Sequence, residues 1–332
     1  MNLKAGVIGF GVGEQHILGL KNSGVDVVAI CDKNDSKMVE ASKKYPEFKI
    51  YRNANSVINS SEIDIVSIAS FDQDHYKHVV NSILSGKHVF CEKPLCMNET
   101  ELKGIRNALN KRPNIKLSTN TILRMSRRFK DAYKKIISKS FGKIYSIEGD
   151  YNYGRIEKIT NGWRTKVKNY SVILGGGIHL VDLLIWFVNS PIVEVYAMGN
   201  KICTEKTSFD YNDMVISIVK FENGVVGKIS ANFGCVHPHF HKVVVYGTKA
   251  TFVNEIHNAY FFNSRNPEVS PKILKSDYPG LQKGDLIPSF INSIKGVSKS
   301  IVDIETVFKV MSACIAIDKS IKTNKPQKVK FY

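Results

Sequence analysis

The sequence predicts an α/β protein with two domains, the first containing a parallel sheet and the second, of α+β type, a large and mostly antiparallel one. Short apolar runs alternate with helical stretches up to about residue 120, and the pattern changes after it. A length of 332 residues also suits two domains of roughly 100 to 200 residues better than one. We therefore place the domains at residues 1–121 and 122–332.

The first domain has apolar runs spaced as in βαβ units. Their residues are apolar in succession instead of alternating, which indicates strands buried on both faces. Helix boundaries agree, because Gly86 follows a helical stretch over 75–85 and Asn98 with Glu101 is typical of a helix start. The predicted strands are Ala5–Ile8, Val27–Cys31, Ile63–Ala69, His88–Cys91 and Ile115–Thr119.

The second domain begins with a basic amphipathic helix at about 127–139, which we expect Gly142 to end. Strands follow, with a buried helix over 178–187 between the first two and a final helix at about 304–321. Asn223-Gly224 is a strong hairpin signal. The predicted strands are Ile144–Tyr153, Val193–Met198, Met214–Phe221, Val225–Phe233, Lys242–Tyr246 and Ala250–Asn254.

Composition and charge exclude several classes of protein. The strongest apolar run, Ile178–Val188, is far shorter than the roughly 20 residues of a membrane span, and the N-terminus lacks a secretion-signal pattern. Six cysteines without a CxxC pair favour a reducing cytoplasm over a disulfide framework. The net charge of +17 is compatible with nucleic acid, an anionic membrane, phosphorylated substrates or a lysine-rich proteome.

Two basic features have chemical alternatives. The aromatic residues of the helix over 127–139, Phe129 and Tyr133, lie on its apolar face, and Arg128 lies with the lysines largely on the opposite side. We therefore expect a solvated basic face and no nucleic-acid partner. Attraction of a phosphorylated or nucleotide-linked substrate is the alternative. Histidines alternate at 237, 239 and 241, but Pro238 interrupts the strand and no nearby carboxylate completes a ligand set, so we predict no metal.

A glycine-rich turn, residues 9–14, joins the first strand to the first helix. Glycine lets the backbone turn tightly and approach a pyrophosphate, whose charge the helix N-terminus favours. Asp32 ends the second strand about 20 residues later, where a carboxylate binds ribose hydroxyls. An acid there repels a 2′-phosphate, so we predict NAD, while the adjacent Lys33 leaves NADP open.

Two further clusters carry ionisable groups. Glu92-Lys93-Pro94 follows a buried parallel strand, at the sheet edge where ligands bind, and Lys93 is suited to donate a hydrogen bond or a proton to a substrate oxygen. A simple turn pair of Glu92 with Lys93 is the alternative. In the helix over 178–187, His179 and Asp182 share one face near its start. A satisfied core histidine is the alternative there.

Taken in order, these motifs resemble the Gfo/Idh/MocA oxidoreductases, a family named for glucose-fructose oxidoreductase, inositol dehydrogenase and a rhizopine-catabolism protein. The resemblance covers nearly the whole chain. The matching segments are the glycine turn, Gly86-Lys87-His88-Val89 leading into Glu92-Lys93-Pro94, Asn120 with Arg124 and Phe129, Trp163-Arg164, and the GG…HxxDLxxW pattern over 176–186.

The resemblance implies a Rossmann domain followed by a domain whose open sheet packs against another subunit, hence a homodimer or homotetramer. It implies hydride transfer between a nicotinamide and a carbinol carbon. Lys93 would orient the reacting oxygen, His179 would be the general acid/base, and the Lys93-Pro94 peptide would be cis. Expected substrate contacts are Asp182, Asn120, Arg124 and His239; expected cofactor contacts are Gly9, Phe10, Gly11, Val12, Gly13, Glu14, Asp32, Lys33, Ser70, His75, Glu92, Lys93, Trp163 and Arg164.

Three positions depart from the family pattern. The third glycine of the turn is Gly13 instead of standing at Glu14, so the turn is one residue tighter. Ser70-Phe71-Asp72 replaces the usual Thr-Pro-Asn, with His75 retained. Gly175 stands where many members have an Asp four residues before the catalytic histidine.

These observations lead to one functional hypothesis and two alternatives. We expect an NAD(P)-dependent oxidoreductase acting on a carbinol or keto carbon of a sugar, a nucleotide-linked sugar or a cyclitol. The first alternative retains its NAD and uses a transient oxidation for elimination, epimerisation or glycoside cleavage. The second, favoured by the missing carboxylate at Gly175, is a nicotinamide-responsive binding protein without turnover.

Overall fold

A computed structural model, which describes residues 2–332, divides the chain into two compact units. The first unit contains the chain up to Ile122, residues 282–308 and Tyr332; the second contains Leu123–Leu281 and Lys309–Phe331. The first boundary therefore lies one residue from the predicted one.

The segment 282–308 differs from the prediction, which assigned it to the second domain. It packs on the first unit because two glycines permit backbone contact: a Cβ on Gly19 would lie 2.7 Å from the Gly284 carbonyl oxygen. Such a contact joins residues far apart in sequence, and no local pattern predicts it.

The first unit contains a six-stranded sheet in which every neighbouring pair is parallel. Its order is β3-β2-β1-β4-β5-β6, so β1 and β4 lie side by side at the centre, where the direction of the strand order reverses. All five predicted runs form strands, and β3 is an addition. The strands are β1 (Lys4–Ile8), β2 (Asp26–Cys31), β3 (Lys49–Tyr51), β4 (Ile65–Ile68), β5 (His88–Cys91) and β6 (Leu117–Thr119).

Five helices alternate with these strands, and the structure contains the helix boundaries predicted at Gly86 and Asn98. Gly86 adopts a φ of +77° after α4, and the Asn98 side chain accepts a hydrogen bond from the Glu101 amide at 3.0 Å at the start of α5. The helices are α1 (Gly13–Asn22), α2 (Asp35–Lys44), α3 (Ala54–Ile58), α4 (His75–Leu84) and α5 (Glu99–Lys111).

The second unit contains a nine-stranded sheet in the order β14-β13-β12-β11-β7-β10-β9-β8-β15. Only the pair of β10 with β7 is parallel, so the sheet is mostly antiparallel, as predicted. Gly224, at a φ of +89°, turns the β9–β10 hairpin. The strands are β7 (Ile144–Asn152), β8 (Ile192–Asn200), β9 (Met214–Phe221), β10 (Val226–Asn232), β11 (Phe240–Gly247), β12 (Thr251–Asn254), β13 (Ala259–Phe262), β14 (Lys272–Leu274) and β15 (Gln327–Lys328).

The remaining helices are α6 (Arg127–Ile137), α7 (Glu157–Thr160), α8 (Ile178–Val188), α9 (Ile287–Ile294) and α10 (Ile304–Thr323), with short turns of 3-10 helix at Asp72–Asp74, Ile122–Met125 and Trp163–Lys166. Helix α8 is buried along nearly its whole length and packs on β7, where Gly149 leaves room for Leu180 and Leu184. Its apolar character on all sides explains this burial.

Helix α6 differs from the prediction in two respects. It ends at Ile137, ahead of Lys139 with a φ of +57°, and Gly142 lies beyond it. Arg128, predicted on the solvated face, is buried, and its guanidinium donates to the backbone carbonyls of Ser276, Glu255 and His257 at 2.6–2.8 Å. These acceptors come from distant segments, so helical periodicity alone misses them. Within residues 2–332, no helix combines the length and apolarity that crossing a membrane requires.

Candidate active site

The glycine turn connects β1 to α1 at the carboxyl edge of the parallel sheet. Gly9 has a φ of +94°, and a Cβ there would lie 2.6 Å from the Ala69 carbonyl carbon, so only glycine fits. A Cβ on Gly13 would lie 2.8 Å from Val7, whereas one on Gly11 would meet no atom within 4 Å. The turn is therefore closely packed at Gly9 and Gly13, whereas the space next to Gly11 is open.

Asp32 follows β2 and fastens this turn. One carboxylate oxygen accepts from the Phe10 amide at 2.7 Å and the other from the Asn34 amide at 2.9 Å. The Phe10 ring itself is buried against Tyr45, so only the backbone of Phe10 faces the turn. The carboxylate is half-exposed and keeps lone pairs for further donors such as hydroxyl groups.

The neighbouring predicted cofactor residues have protein partners. Val12 is the residue just before α1 and is exposed, while Glu14 in the first turn forms an ion pair with Lys44. Lys33 is exposed and pairs with Asp74 at 3.0 Å. Both pairs leave the mouth of the turn without an unbalanced charge from these side chains.

A buried polar network lies beneath the carboxyl ends of β4, β5 and β6. Glu92 Oε1 accepts from Asn120 Nδ2 at 2.5 Å and from His16 Nε2 at 3.2 Å. His16 Nδ1 lies 2.8 Å from the Ser67 hydroxyl. Because a carboxylate only accepts, Nε2 carries the proton in the neutral ring and Nδ1 accepts from Ser67.

The charge of Glu92 is strongly favoured in this network. Burial by itself raises its pKa, but the Lys283 ammonium and the hydrogen bonds from His16 and Asn120 outweigh burial and hold the pKa well below its usual range. Asn120 Nδ2 also donates to the Lys283 carbonyl at 2.8 Å. This fixes the amide orientation and leaves Asn120 Oδ1 buried without a hydrogen-bond partner within the described chain.

These features fit a dinucleotide. The open backbone at Gly11 and the start of α1 suit a pyrophosphate, and Asp32 suits ribose hydroxyls. The orphaned Asn120 oxygen is a buried acceptor for an amide such as the nicotinamide carboxamide. Gly9, Gly11, Gly13 and Asp32 are therefore the residues that would hold NAD.

His75 joins the loops that follow β4 and β5. Its ring nitrogens lie 2.6 Å from the Pro94 carbonyl oxygen and 3.0 Å from the Ser70 carbonyl oxygen, and the residue is fully buried. The Ser70 hydroxyl lies 3.1 Å from His78 Nδ1. His75 and Ser70, both predicted to contact cofactor, are thus engaged in holding these loops together.

Lys93 follows β5 and Glu92 at the carboxyl edge of the sheet. The Lys93–Pro94 peptide is cis, in agreement with the resemblance. The Lys93 side chain is half-buried. In the sheet order, β5 is separated from β1 and its glycine turn by β4 alone.

In the second unit, α8 carries His179 and Asp182 as predicted, but Asp182 is already bound. Its two carboxylate oxygens accept from Arg124 Nε at 2.8 Å and Nη2 at 2.7 Å. The Asp182 side chain has no exposed surface and that of Arg124 is 5% exposed. The two residues predicted to bind substrate therefore form a buried bidentate salt bridge with each other.

His179 lies among aromatic and imidazole rings. Tyr151 and His241 have ring centroids 6.4 and 6.1 Å from that of His179. His239 Nε2 lies 3.2 Å from the Tyr151 hydroxyl, and His241 Nδ1 lies 2.7 Å from the Tyr278 hydroxyl. This cluster can offer several hydrogen-bond donors and acceptors to a polyhydroxylated ligand.

The alternating histidines are only partly on a strand, because β11 begins at Phe240 and includes His241 alone. Among residues 2–332, no three His, Cys, Asp or Glu side chains are grouped so that they could hold a metal ion. Trp163 and Arg164 lie in a 3-10 turn, with the guanidinium 4.5 Å from the Trp163 ring centroid.

Several residues of these clusters were not predicted. His16 stands three residues after Gly13 on the first helix, a position that could have marked it as a buried polar group. No local signal marks Lys283, Tyr151 or Tyr278, because these residues reach their places through long-range packing.

Models of two protein-family domains match this chain. The model of the oxidoreductase family with an NAD-binding Rossmann fold matches residues 3–121, and the model of the Gfo/Idh/MocA C-terminal domain matches residues 129–253. Inositol 2-dehydrogenase of Salmonella typhimurium is 29% identical over 203 residues, which are 59% of this chain and 58% of that protein. The chain thus matches less than two thirds of that relative's length.

Two solved structures are similar over the whole chain. Levoglucosan dehydrogenase in complex with NADH and L-sorbose has a TM-score of 0.86 at 20% identity, covering 100% of both chains. Scyllo-inositol dehydrogenase from Lactobacillus casei, with bound NAD(H) and scyllo-inositol, has a TM-score of 0.82 at 17% identity, covering 99% of both. At these identities the likeness establishes the shared fold. The two family models together cover most of the chain, which therefore belongs to the Gfo/Idh/MocA oxidoreductases and begins with an NAD-binding Rossmann domain.

Proposed function

We propose that the protein is an NAD-dependent dehydrogenase that acts on a carbinol carbon of a sugar, a nucleotide-linked sugar or a cyclitol. The observation that carries the proposal is that Lys93 leaves the same carboxyl edge of the parallel sheet as the glycine turn and Asp32. An ionisable group is thereby held at the edge where such sheets bind ligands. The relative named inositol 2-dehydrogenase supports the substrate class.

The chemistry that NAD⁺ would supply when bound is hydride acceptance, so that a carbinol C–OH would become C=O with release of one proton. The Lys93 ammonium donates a hydrogen bond to the reacting oxygen, which orients it and favours loss of its proton. His179 accepts that proton as general base and returns it as general acid in the reverse direction.

Other site residues have supporting roles in this proposal. Asp32 binds the adenosine ribose, and the network of Glu92 and Asn120 holds the backbone beside Lys93. His239, with Tyr151, contacts substrate hydroxyls. Trp163 and Arg164 lie near the cofactor in this proposal, which the family resemblance supports.

A substrate screen tests the proposal. Purified protein should bind NADH, and one member of a panel of inositols, free sugars and nucleotide-linked sugars should be oxidised with NADH formation. Lys93→Met and His179→Asn should each lower turnover by more than about 100-fold, with NADH affinity retained. The matched controls Lys77→Met and His257→Asn change exposed residues and should keep full activity.

Three results would contradict the proposed dehydrogenase activity or the roles assigned to its residues. Unchanged rates in both active-site variants would remove the assigned roles. Conversion of a substrate without net NADH, by protein that retains cofactor through gel filtration, would favour transient oxidation. Binding of NADH without conversion of any panel member would favour a nicotinamide-responsive binding protein.

We further propose that the open face of the second unit's sheet joins subunits of a homodimer or homotetramer. Apolar side chains pair across β8 and β9 on this face, Met198 with Ile216 and Tyr196 with Ile218. Met198 is 63% exposed and Ile218 62%, which is unusual for neighbouring apolar residues on one sheet.

Light scattering after gel filtration tests this arrangement. The wild-type mass should be two or four chains, and Ile218→Asp should reduce it, whereas Val39→Asp, on an exposed helix of the first unit, should not. A wild-type mass of one chain would contradict the proposal.

We also propose the cytoplasm as the compartment of action. The thiols of Cys31, Cys91 and Cys96 are buried, and burial raises the pKa of Cys31 to about 11, so these cysteines are held as unreactive thiols. Fractionation of cells should recover the protein in the cytoplasm, and recovery outside it would overturn this assignment.

A further inference from the structure

The helix that carries His179 begins before α8, with a serine at its start. A π-helical turn, Ile173–Gly177, continues directly into α8. The Ser171 side-chain oxygen accepts hydrogen bonds from the backbone amides of Ile173 and Leu174, each at 3.2 Å. Ser171 is therefore the N-cap of the whole helical stretch, because it satisfies two amides that the first turn leaves without carbonyl partners.

The Ser171 hydroxyl also binds a residue of another helix in the second unit. Asp318 lies on α10, 147 positions further along the chain, and one of its carboxylate oxygens accepts from the Ser171 hydroxyl at 2.7 Å. A hydroxyl has one proton to donate and two lone pairs that accept. These three hydrogen bonds use all of that capacity, so the proton points to α10 and the lone pairs point to the helix start.

The glycines at 175–177 do not fix the register of the π-helical turn by themselves. Glycine has no side chain that favours one backbone conformation, and it loses more conformational freedom on folding than any other residue. A π-helical turn closes over one residue more than an α-helical turn, and such turns are rare. Contacts made outside the glycine run must therefore set the register of this segment.

The register of the turn determines where the His179 side chain points. Successive residues of an α-helix are rotated by about 100°, so a shift of one residue at the helix start would carry His179 to another face. On its present face, the His179 ring centroid lies 6.4 Å from that of Tyr151 and 6.1 Å from that of His241. Keeping the imidazole in this cluster requires a fixed helix start.

We propose that Ser171 and Asp318 are positioning residues for His179, because their hydrogen bond holds the helix that presents the imidazole in one register. The inference rests on the proposed dehydrogenase function, in which His179 is the general acid/base. Neither Ser171 nor Asp318 touches the reacting atoms, and both act through the helix backbone. Loss of their hydrogen bond should lower kcat and leave NADH binding at the glycine turn and Asp32 unchanged.

Two variants remove the hydrogen bond from either side. Ser171→Ala removes the cap, and Asp318→Leu removes the acceptor of the Ser171 proton. Each should lower kcat for the substrate identified in the panel about 10- to 100-fold, the scale on which a small displacement of a catalytic group acts. The double variant should lose much less than the product of the two single losses, since both act on one bond. Losses that multiply would contradict the inference.

Conservative variants and a second helix cap separate positioning from stability. Ser171→Thr retains a hydroxyl and Asp318→Asn retains an acceptor oxygen, so both should keep kcat close to that of the wild type. Asn53→Ala is the matched control, because Asn53 caps α3 in the first unit by accepting from the Asn55 amide at 2.9 Å. It should leave kcat unchanged. A fall in kcat as large as that in Ser171→Ala would mean that lost stability is the cause, and the inference would be wrong.

The His179 imidazole provides a measurement that does not depend on turnover. In NMR spectra of protein with isotope-labelled histidine, the signal that disappears in His179→Asn belongs to His179. This signal should shift or broaden in Ser171→Ala and Asp318→Leu, whereas that of His88, in the first unit, should not. A His179 signal that is identical in the wild type and both variants would refute the positioning role.

The results distinguish the inference from the proposed function. Turnover that persists unchanged in Ser171→Ala and Asp318→Leu overturns the positioning role alone. A wild-type protein that binds NADH and converts no member of the panel overturns the dehydrogenase, and the positioning role then stands or falls with the His179 signal.

Discussion

Replacing Asp182 by asparagine separates two roles for this residue, binding a substrate or holding the second unit together. The structure favours the second role, because both carboxylate oxygens accept charge-assisted hydrogen bonds from Arg124 at 2.7 and 2.8 Å. Asp182→Asn keeps the shape of the side chain and leaves the Arg124 guanidinium buried without its counter-charge.

The expected loss of stability is large. The Asp182 side chain has no exposed surface and Arg124 is 5% exposed, so water does not replace the lost partner. Breaking one partner of such a buried pair costs about 3–5 kcal/mol, whereas an exposed pair contributes only about 0–1 kcal/mol. Asp182→Asn should therefore lower the free energy of unfolding by about 3–5 kcal/mol.

Urea unfolding measures this loss, with two comparisons. Asp131→Asn breaks the exposed pair of Asp131 with Lys134, 3.6 Å apart, and should cost less than about 1 kcal/mol. Removing both buried charges, in Arg124→Met with Asp182→Leu, should be less destabilising than Asp182→Asn alone, because no buried charge remains unpaired.

The competing role makes the opposite prediction. If Asp182 binds a substrate hydroxyl, Asp182→Asn should raise KM for the substrate and leave the unfolding midpoint close to that of the wild type. That result would refute the reasoning from the buried pair and restore the substrate role predicted from the sequence.

Three further predictions concern pH and the cofactor turn. Burial lowers the pKa of His78 from 6.5 to about 4, so between these two pH values the unfolded chain binds a proton that the folded chain does not. The free energy of unfolding should therefore fall by about 3 kcal/mol as pH drops from 6.5 to 4. His78→Gln should remove this pH dependence in urea unfolding measured at several pH values. Burial raises the pKa of Asp318 from 3.8 to about 6, so the contribution of this carboxyl group to stability is lost as pH rises through 6. Asp318→Asn should stabilise the protein by up to about 3 kcal/mol at pH 7 but not below pH 3.8. Equal stability of the variant and the wild type at pH 7 would contradict this prediction. Gly9→Ala should weaken NADH binding at least about tenfold by calorimetry because its Cβ meets the Ala69 carbonyl, whereas Gly24→Ala, also at positive φ but facing open space, should bind normally.

Local signals in the sequence were sufficient for much of the fold. The glycine turn, the Asn98 cap and the Asn223-Gly224 hairpin each act through the backbone of a few neighbouring residues. Each was therefore readable from composition and spacing, and each lies where it was predicted.

Pairings between distant residues had no such signal. Arg128 has the pattern of a solvated helix residue, yet it binds carbonyls some 125 to 150 positions away. The segment 282–308 returns to the first unit for a similar reason, because Gly284 meets Gly19 only once both are folded.

The sequence by itself determined the family, the two types of sheet and the candidate Lys93 and His179, since these depend on short motifs in a fixed order. The tertiary structure alone decided what those groups touch. It joined Asp182 to Arg124 and connected Glu92 to His16 and Asn120. The physical reason is that hydrogen bonds and van der Waals contacts are made between neighbours in space, and only the packed chain makes distant residues neighbours.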